Sequence, residues 1–332
     1  MQFNINGPVF VTGADGFIGS HLTEALVKMG CDVTALCLYN SMGNFGWLQQ
    51  LADKAPSNLK IILGDVRDAG LIESALPEKA TIFHLASLIA IPYSYVAPES
   101  YFETNVRGAL NIAKAALKKS AKRVVHTSTS EVYGTARIVP INEEHPLQGQ
   151  SPYSASKIAA DKLMESYFCS FNLPLVTLRP FNTYGPRQSL RAVIPTILAQ
   201  AIAGDKKLKL GSISPTRDFN YVTDTVNAFL AVGSTDLSKV LGKTYNAGSG
   251  HEISIGDLVT LIGRLFGNAF EIQTEESRIR PGNSEVERLL ADSSSLTKAT
   301  GWESKVSLEE GLLNFAEWLK MNPVKAPHQY QV

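Results

Sequence analysis

The chain has 332 residues, 44% hydrophobic and 19% charged, enough to bury a large core and to form two lobes. Its 31 Lys and Arg balance 31 Asp and Glu, which argues against electrostatic capture by nucleic acid or by an anionic membrane. The longest apolar stretch, 82–91, is interrupted by His84 and Ser87 and is too short for a membrane helix, and Cys31, Cys37 and Cys169 fit neither a disulfide nor a metal pattern.

The first strand-like run, 8–12, is apolar throughout, as a buried parallel strand requires. It begins so early that we expect no leader segment. The run ends in Gly13, and Gly13, Gly16 and Gly19 recur at every third position. Glycine permits the sharp turn and lets backbone N–H groups approach a ligand closely. Beyond Gly16, Ile18, Leu22, Ala25 and Leu26 share one helical face. A helix N-terminus opening at such a turn suits a pyrophosphate. This is the setting of a dinucleotide fingerprint, although the spacing departs from Gly-x-Gly-x-x-Gly and an ordinary tight turn is the alternative.

The second strand-like run, 32–38, bears on the choice of dinucleotide. An acidic residue often closes this strand and binds the adenosine ribose of NAD. Here Cys37 holds that place, Asp32 comes too early, and no arginine stands ready for a 2′-phosphate. Asn40 and Ser41 are the candidate ribose partners; the reading favours NAD and leaves NADP open. Further strand-like runs follow at 59–63, 81–85, 123–127 and 173–178, with amphipathic helical stretches at 99–119 and 152–171. The alternation predicts an α/β fold, a Rossmann-type doubly wound parallel sheet over residues 1–180. After Arg179 the pattern is mixed, with helices at 193–203, 224–232, 255–265 and 308–320. We assign 181–332 mainly to a smaller mixed α/β substrate-binding lobe, with a loosely held tail from Asn322 to Val332.

Within the 152–171 stretch, YSASK sets Tyr153 one helical turn before Lys157. A phenol holds its proton to about pH 10, and a neighbouring ammonium lowers that value. The pair can take the proton of a sugar hydroxyl while a hydride leaves the same carbon. A surface Tyr and Lys on an amphipathic helix is the plainer alternative, and the glycine loop upstream decides against it.

Taken together, TGADGFIG, YSASK, GDVRD at 64–68, HLAS at 84–87, TNVRGALN at 104–111, STSEVYG at 128–134, RPFNTYGPRQ at 179–188, RDFNYVTD at 217–224 and YNAGSG at 245–250 resemble the extended short-chain dehydrogenases/reductases that remodel nucleotide sugars. The resemblance covers nearly the whole chain. It implies that NAD lies along Gly13, Gly16, Phe17, Ile18 and Gly19, with Asp65 and Val66 at the adenine and Leu85, Ala86 and Ser87 beside the cofactor. It implies a Thr129–Tyr153–Lys157 triad, with Thr129 bonding the hydroxyl being oxidised. On the substrate side it implies Ser87, Asn105, Asn182, Arg187, Val193, Arg217 and Arg280, the arginines being suited to a diphosphate. Residues 191–195 stand as a contact for the nucleobase. It further implies a homodimer through the 99–119 and 152–171 helices; separately, the three scattered thiols fit a reducing cytoplasm, and with no cluster of His, Cys and carboxylates at ligand spacing we expect no metal.

Family members share oxidation at carbon 4 of the sugar and differ in the next step. Side chains two apart on a strand face the same way, so Thr129 and Glu131 are expected to reach the sugar together. In similar 4,6-dehydratases the residue matching Glu131 removes the carbon-5 proton, and an aspartate before it serves as acid. Here that position is Ser130, a poor general acid, which leaves the acid unassigned unless Glu131 returns the proton itself. SLIAIPYSY at 87–95, TSTSEVYGTA at 127–136, QSPYSASKIAAD at 150–161, RPFNTYGPRQS at 179–189 and RPGNSEV at 280–286 together resemble the N-acetylglucosamine 4,6-dehydratases of legionaminic-acid biosynthesis, which act on a UDP- or GDP-linked sugar. UDP-glucuronate decarboxylases, which resemble this chain in the Ser–Glu pair itself, are the main alternative within the family, set aside on those wider segments; a 4-epimerase, which needs no base at Glu131, is the other. A non-catalytic dinucleotide-binding sensor is the alternative outside it.

Overall fold

A computed structural model describes residues 3–323; most of the tail assigned above lies outside the described residues. Short apolar runs become strands β1 (Val9–Thr12), β2 (Val33–Leu38), β3 (Leu59–Gly64), β4 (Thr81–His84), β5 (Arg123–Thr127), β6 (Leu175–Pro180) and β7 (Asn182–Tyr184), followed by β8 (Lys207–Leu210), β9 (Thr216–Tyr221), β10 (Thr244–Ala247), β11 (Glu252–Ser254) and β12 (Glu271–Thr274). Seven of them form one parallel sheet in the order β10-β6-β5-β4-β1-β2-β3. Helices cover both faces, as an all-parallel sheet requires. The order reverses at β1, so the carboxyl ends of β1 and β4 diverge there and open a crevice.

The smaller lobe holds the β11-β9-β7 sheet, the β12-β8 pair, and the helices Val193–Ile202, Ile255–Phe266 and Leu308–Met321. The boundary at residue 180 is crossed twice. Strand β10 returns to complete the main sheet beside β6, and the helix Val222–Ser234 packs on the first helix, α1 (Phe17–Lys28). The cause is burial: Ala228, Phe229 and Val232 are fully buried, and the Phe229 ring meets Phe83 of β4 edge-on at 6.5 Å. One apolar core therefore runs from β1 and β2 to Phe315 and Leu319 in the last helix. The two aspartates of RDFNYVTD fasten the lobe. Asp218 accepts the N–H groups of Ser249, Gly250 and Ala291, and Asp224 those of Lys305 and Val306.

Periodicity predicts one helix over 99–119. The structure instead has a short helix Pro98–Tyr101, a π-helical turn Phe102–Arg107 and an α-helix Gly108–Lys118. The wider turn carries Asn105 inward, to 2% exposure, where its side chain has partners. The helix Pro152–Phe171 spans the residues expected of it. Pro152 opens it, and Ser151 and Ser154 cap each other's backbone N–H groups in a capping box. Among the described residues no helix is long and apolar enough to cross a membrane.

Candidate active site

The glycine loop joins β1 to α1 at the crevice. Gly13 has φ +68°, and a Cβ there would lie 2.7 Å from the Ala86 nitrogen; at Gly19 it would lie 2.0 Å from the Gly13 oxygen. The loop thus packs backbone on backbone. No side chain caps α1, and its first turn carries no acidic residue. The first-turn N–H groups, including those of Phe17, Ile18 and Gly19, have no intrahelical acceptor and face the crevice as an anion cradle. Opposite, Leu85 and Ala86 bond the backbone and hydroxyl of Thr12, at 3.2 and 3.1 Å. These features fit a dinucleotide pyrophosphate.

Just after β3, Asp65 holds Arg67 through both carboxylate oxygens, and that bond lowers its carboxyl below the usual range. Val66 is buried, with its carbonyl taken by Asn111. Ser41 is exposed. Asn40 is not a free ribose partner: its amide donates to Leu38 and Asn44 oxygens and accepts the Asn44 N–H, bracing its own loop.

Strand β5 delivers Thr129 and Glu131, but not by strand parity. A 3-10 turn, Ser130–Tyr133, begins directly after Thr129, whose hydroxyl caps it by accepting the Glu131 N–H at 3.2 Å. The turn sets the Thr129 hydroxyl against the Tyr153 phenol and brings the Glu131 carboxylate near the same phenol. Ser130 is 2% exposed, within the turn.

Tyr153, Lys157 and Asp161 form a buried row at successive turns of their helix, each no more than 6% exposed. Lys157 Nζ donates to the Thr127 carbonyl at 2.6 Å, and burial brings its ammonium down to about 8, against the pull of Asp161. The Lys157 ammonium does not by itself make the Tyr153 phenol acidic. Burial pushes it up, the Glu131, Tyr101 and Asp161 charges add to this, and the Thr129 bond opposes it. A phenolate there requires a further positive charge in the site.

Asp161 is the residue the motifs missed. It accepts from Ser128 at 2.7 Å, His126 at 3.2 Å and Arg179 at 3.0 Å. Burial raises its carboxyl, but the His126 bond and the Arg179 charge outweigh this and hold it at about 2. Arg179 continues to the Tyr133 hydroxyl, which donates to Asn246. Its place four residues after Lys157, on the same helical face, was the signal available in the sequence. His84 and His126 stack at 5.7 Å, and burial keeps both below the ordinary imidazole value, which suits a packing role.

The substrate-side residues divide. Asn105 is not open to a ligand: its oxygen accepts from Ser87 and Leu88, and its nitrogen donates to Leu88 and Ser156. It positions the Ser87 loop. Arg187 is bound to Glu24 and Ser20 of α1, at 2.7 and 3.1 Å, and clamps the lobe to that helix. Arg217 is buried beside Glu131, with Glu285 at 3.1 Å; Arg280 reaches the same Glu285 oxygen at 3.4 Å. Asn182 keeps a buried side-chain oxygen with no protein partner among the described residues. Val193 is half-buried at the start of its helix. Beside these, Ser87, Leu88, Ile89, Ala90, Tyr93, Tyr101 and Arg191 line a cleft of about 250 Å³. Tyr101 meets the Tyr153 ring edge-on at 6.2 Å.

Known proteins are similar to this chain over nearly its whole length. A family model described as GDP-mannose 4,6 dehydratase matches residues 10–315. The UDP-glucose 4-epimerase of Mycolicibacterium smegmatis is 32% identical over 318 residues, covering 93% of this chain and 97% of the relative. A dTDP-glucose 4,6-dehydratase of Xanthomonas campestris pv. campestris is 30% identical over 333 residues, covering 94% and 93%. Among solved structures, the dTDP-glucose 4,6-dehydratase DesIV of Streptomyces venezuelae, determined with NAD bound, aligns with a TM-score of 0.86 at 27% identity over 95% of this chain and 97% of that one. The match runs from β1 into the last helix, and the chain belongs to the GDP-mannose 4,6-dehydratase family of nucleotide-sugar dehydratases and epimerases.

Proposed function

We propose that the protein is an NAD-dependent nucleotide-sugar 4,6-dehydratase acting on UDP- or GDP-linked N-acetylglucosamine. Glu131 carries this reading, because its carboxylate shares the pocket of Tyr153 and Arg217. An epimerase, which only removes and returns the carbon-4 hydride, has no use for a carboxylate there. The triad argues equally against a non-catalytic sensor.

The glycine cradle would hold the pyrophosphate of NAD, with Asp65 and Val66 toward its adenine. When bound, NAD supplies a positive ring that favours the phenolate and takes up the carbon-4 hydride, later returned to carbon 6. Tyr153 accepts the proton of the carbon-4 hydroxyl, Thr129 bonds that oxygen, and Lys157 supplies charge behind the phenol. The resulting ketone acidifies the carbon-5 proton. Glu131 removes that proton and hands it to the departing carbon-6 oxygen, which leaves as water. Ser130 is buried and a poor acid, so this return of the proton gives Glu131 both roles. A solvent proton completes carbon 5. Arg217, Arg280 and Asn182 would hold the diphosphate end of the substrate. The cleft beside Tyr101 has room for an acetamido group, and the 87–95 segment resembles the enzymes of legionaminic-acid biosynthesis.

Three free thiols suit a cytoplasmic setting. A homodimer through the outer faces of the helices Gly108–Lys118 and Pro152–Phe171 would cover Phe102 and Phe171, both more than half exposed.

The test is incubation with UDP- and GDP-N-acetylglucosamine in deuterated water. A 4-keto-6-deoxy product with deuterium at carbon 5 is expected, and Glu131→Gln stops the exchange. A 4-epimer without carbon-5 deuterium, or carbon dioxide release from UDP-glucuronate, assigns the chain to the alternatives. Unchanged exchange in Glu131→Gln removes Glu131 from the base role.

A further inference from the structure

Strand β2 ends in Cys37 and Leu38, without the carboxylate that commonly binds the adenosine ribose. The fold brings one there from elsewhere. Asp15 follows Ala14 in the glycine loop, and that loop lies against the end of β2, with the Ala14 N–H donating to the Leu36 oxygen at 3.2 Å. The 39–48 loop closes from the other side: Trp47 donates its N–H to the Asp15 carbonyl at 3.1 Å, and a Cβ on Gly46 would lie 3.0 Å from the Asp15 Cβ. The Asp15 carboxylate is therefore held between the phosphate cradle and the end of β2, half-buried.

We propose that Asp15 recognises the adenosine ribose of the dinucleotide and selects NAD against its 2′-phosphorylated form. The inference rests on the reading that the glycine loop holds NAD. A carboxylate only accepts hydrogen bonds, and a vicinal diol offers it two donors. A 2′-phosphate offers no donor and brings about two negative charges to the same place.

The surroundings agree. Burial raises the Asp15 carboxyl and the N–H groups of Asp15 and Leu38 oppose this. Burial, and then the Asp15 charge, push the neighbouring Cys37 thiol up to about 12, so Cys37 stays a neutral filler beneath the site. Arg67, past the end of β3, is bound to Asp65. Asn40, the partner expected from the sequence, is engaged within its own loop. Position along the chain hid Asp15, because it precedes the strand end it serves by more than twenty residues.

Calorimetric titration of the protein, freed of co-purified dinucleotide, with NAD and with NADP tests this without any sugar reaction. NAD is expected to bind at least about 100-fold tighter than NADP. Asp15→Asn and Asp15→Ser should each narrow that ratio by about tenfold or more, the loss of a charge-assisted bond and of a charge repulsion combined. The ratio is internal to each variant, so a change in folding stability cancels, and the melting temperature without dinucleotide is measured alongside. An unchanged ratio in both variants, or equal binding of the two dinucleotides by the unaltered protein, overturns the role of Asp15 and leaves the proposed function standing. Binding of neither dinucleotide by the unaltered protein overturns both.

Discussion

Lys157 donates its ammonium to the Thr127 carbonyl at 2.6 Å, so the Tyr153 helix is bolted to the end of β5 by the residue proposed to charge the phenol. Burial lowers that ammonium to about 8, which makes it cationic below about pH 8 and neutral above. A step that needs the cation loses rate as pH rises through that value. We predict a descending limb in kcat centred near pH 8, falling about tenfold per unit beyond it. Lys157→Met should lower kcat by about 10²–10⁴. Single-turnover rates from pH 6 to 10 check both, and a flat profile from pH 7 to 10 would remove the charge of Lys157 from the reaction.

Asp161 sits one turn further along and is surrounded by Arg179, His126 and Ser128. Its folded carboxyl is at about 2, below the usual 3.8, so its contribution to stability is complete above the usual value and is lost as pH falls from there toward 2. Asp161→Asn leaves the buried Arg179 unpaired and should destabilise the fold by about 3–5 kcal/mol at neutral pH. The variant should also lack the acid-dependent loss that wild type shows between about pH 4 and 2. Thermal melts across pH measure both effects. A variant as stable as wild type at pH 7 would mean that solvent reaches Arg179.

Much of this was legible in the sequence, and what was not has a common cause. The β5 strand and the Tyr153 helix appear with the bounds that apolar patterning gave, because that signal is local. The π turn at Phe102–Arg107 has no periodic signature; it exists because Asn105 finds the Ser87 loop and Ser156. Glu131 reaches the phenol through a turn set by the Thr129 cap, where strand alternation was the wrong geometry for the right neighbour. The roles of Arg187, Asp161 and Asp15 depend on partners distant in the chain or on loops folding over them, which spacing does not encode.

Two of the three arginines that the resemblance placed at the diphosphate should separate experimentally. Arg187 is tied to Glu24 and Ser20 of α1, whereas Arg217 lies beside Glu131 with a shared carboxylate, Glu285. Arg187→Ala should lower the melting temperature through the lost lobe clamp and change KM for the nucleotide sugar less than about threefold. Arg217→Lys keeps a charge but loses the fork, and should raise KM about tenfold or more. Paired melting curves and steady-state kinetics decide; a large KM rise in Arg187→Ala with unchanged melting would return that residue to the substrate.

The glycine cradle gives the most local prediction. A methyl group at Gly19 would lie 2.0 Å from the Gly13 carbonyl oxygen, a backbone atom held by β1 and by contact with Ala86. Neither side can yield without moving the turn that aims the first N–H groups of α1. Gly16 faces the same oxygen at 3.3 Å, where a few tenths of an ångström suffice. Gly19→Ala should therefore weaken NAD binding by about 100-fold or more, on the scale of a lost set of charge-assisted bonds, and lower the melting temperature as overpacking does. Gly16→Ala should cost the fold little and act on NAD only as far as its exposed methyl meets the pyrophosphate. Titration of both variants with NAD checks the ranking, and equal affinity in Gly19→Ala and wild type would show that the turn absorbs the methyl without disturbing the cradle.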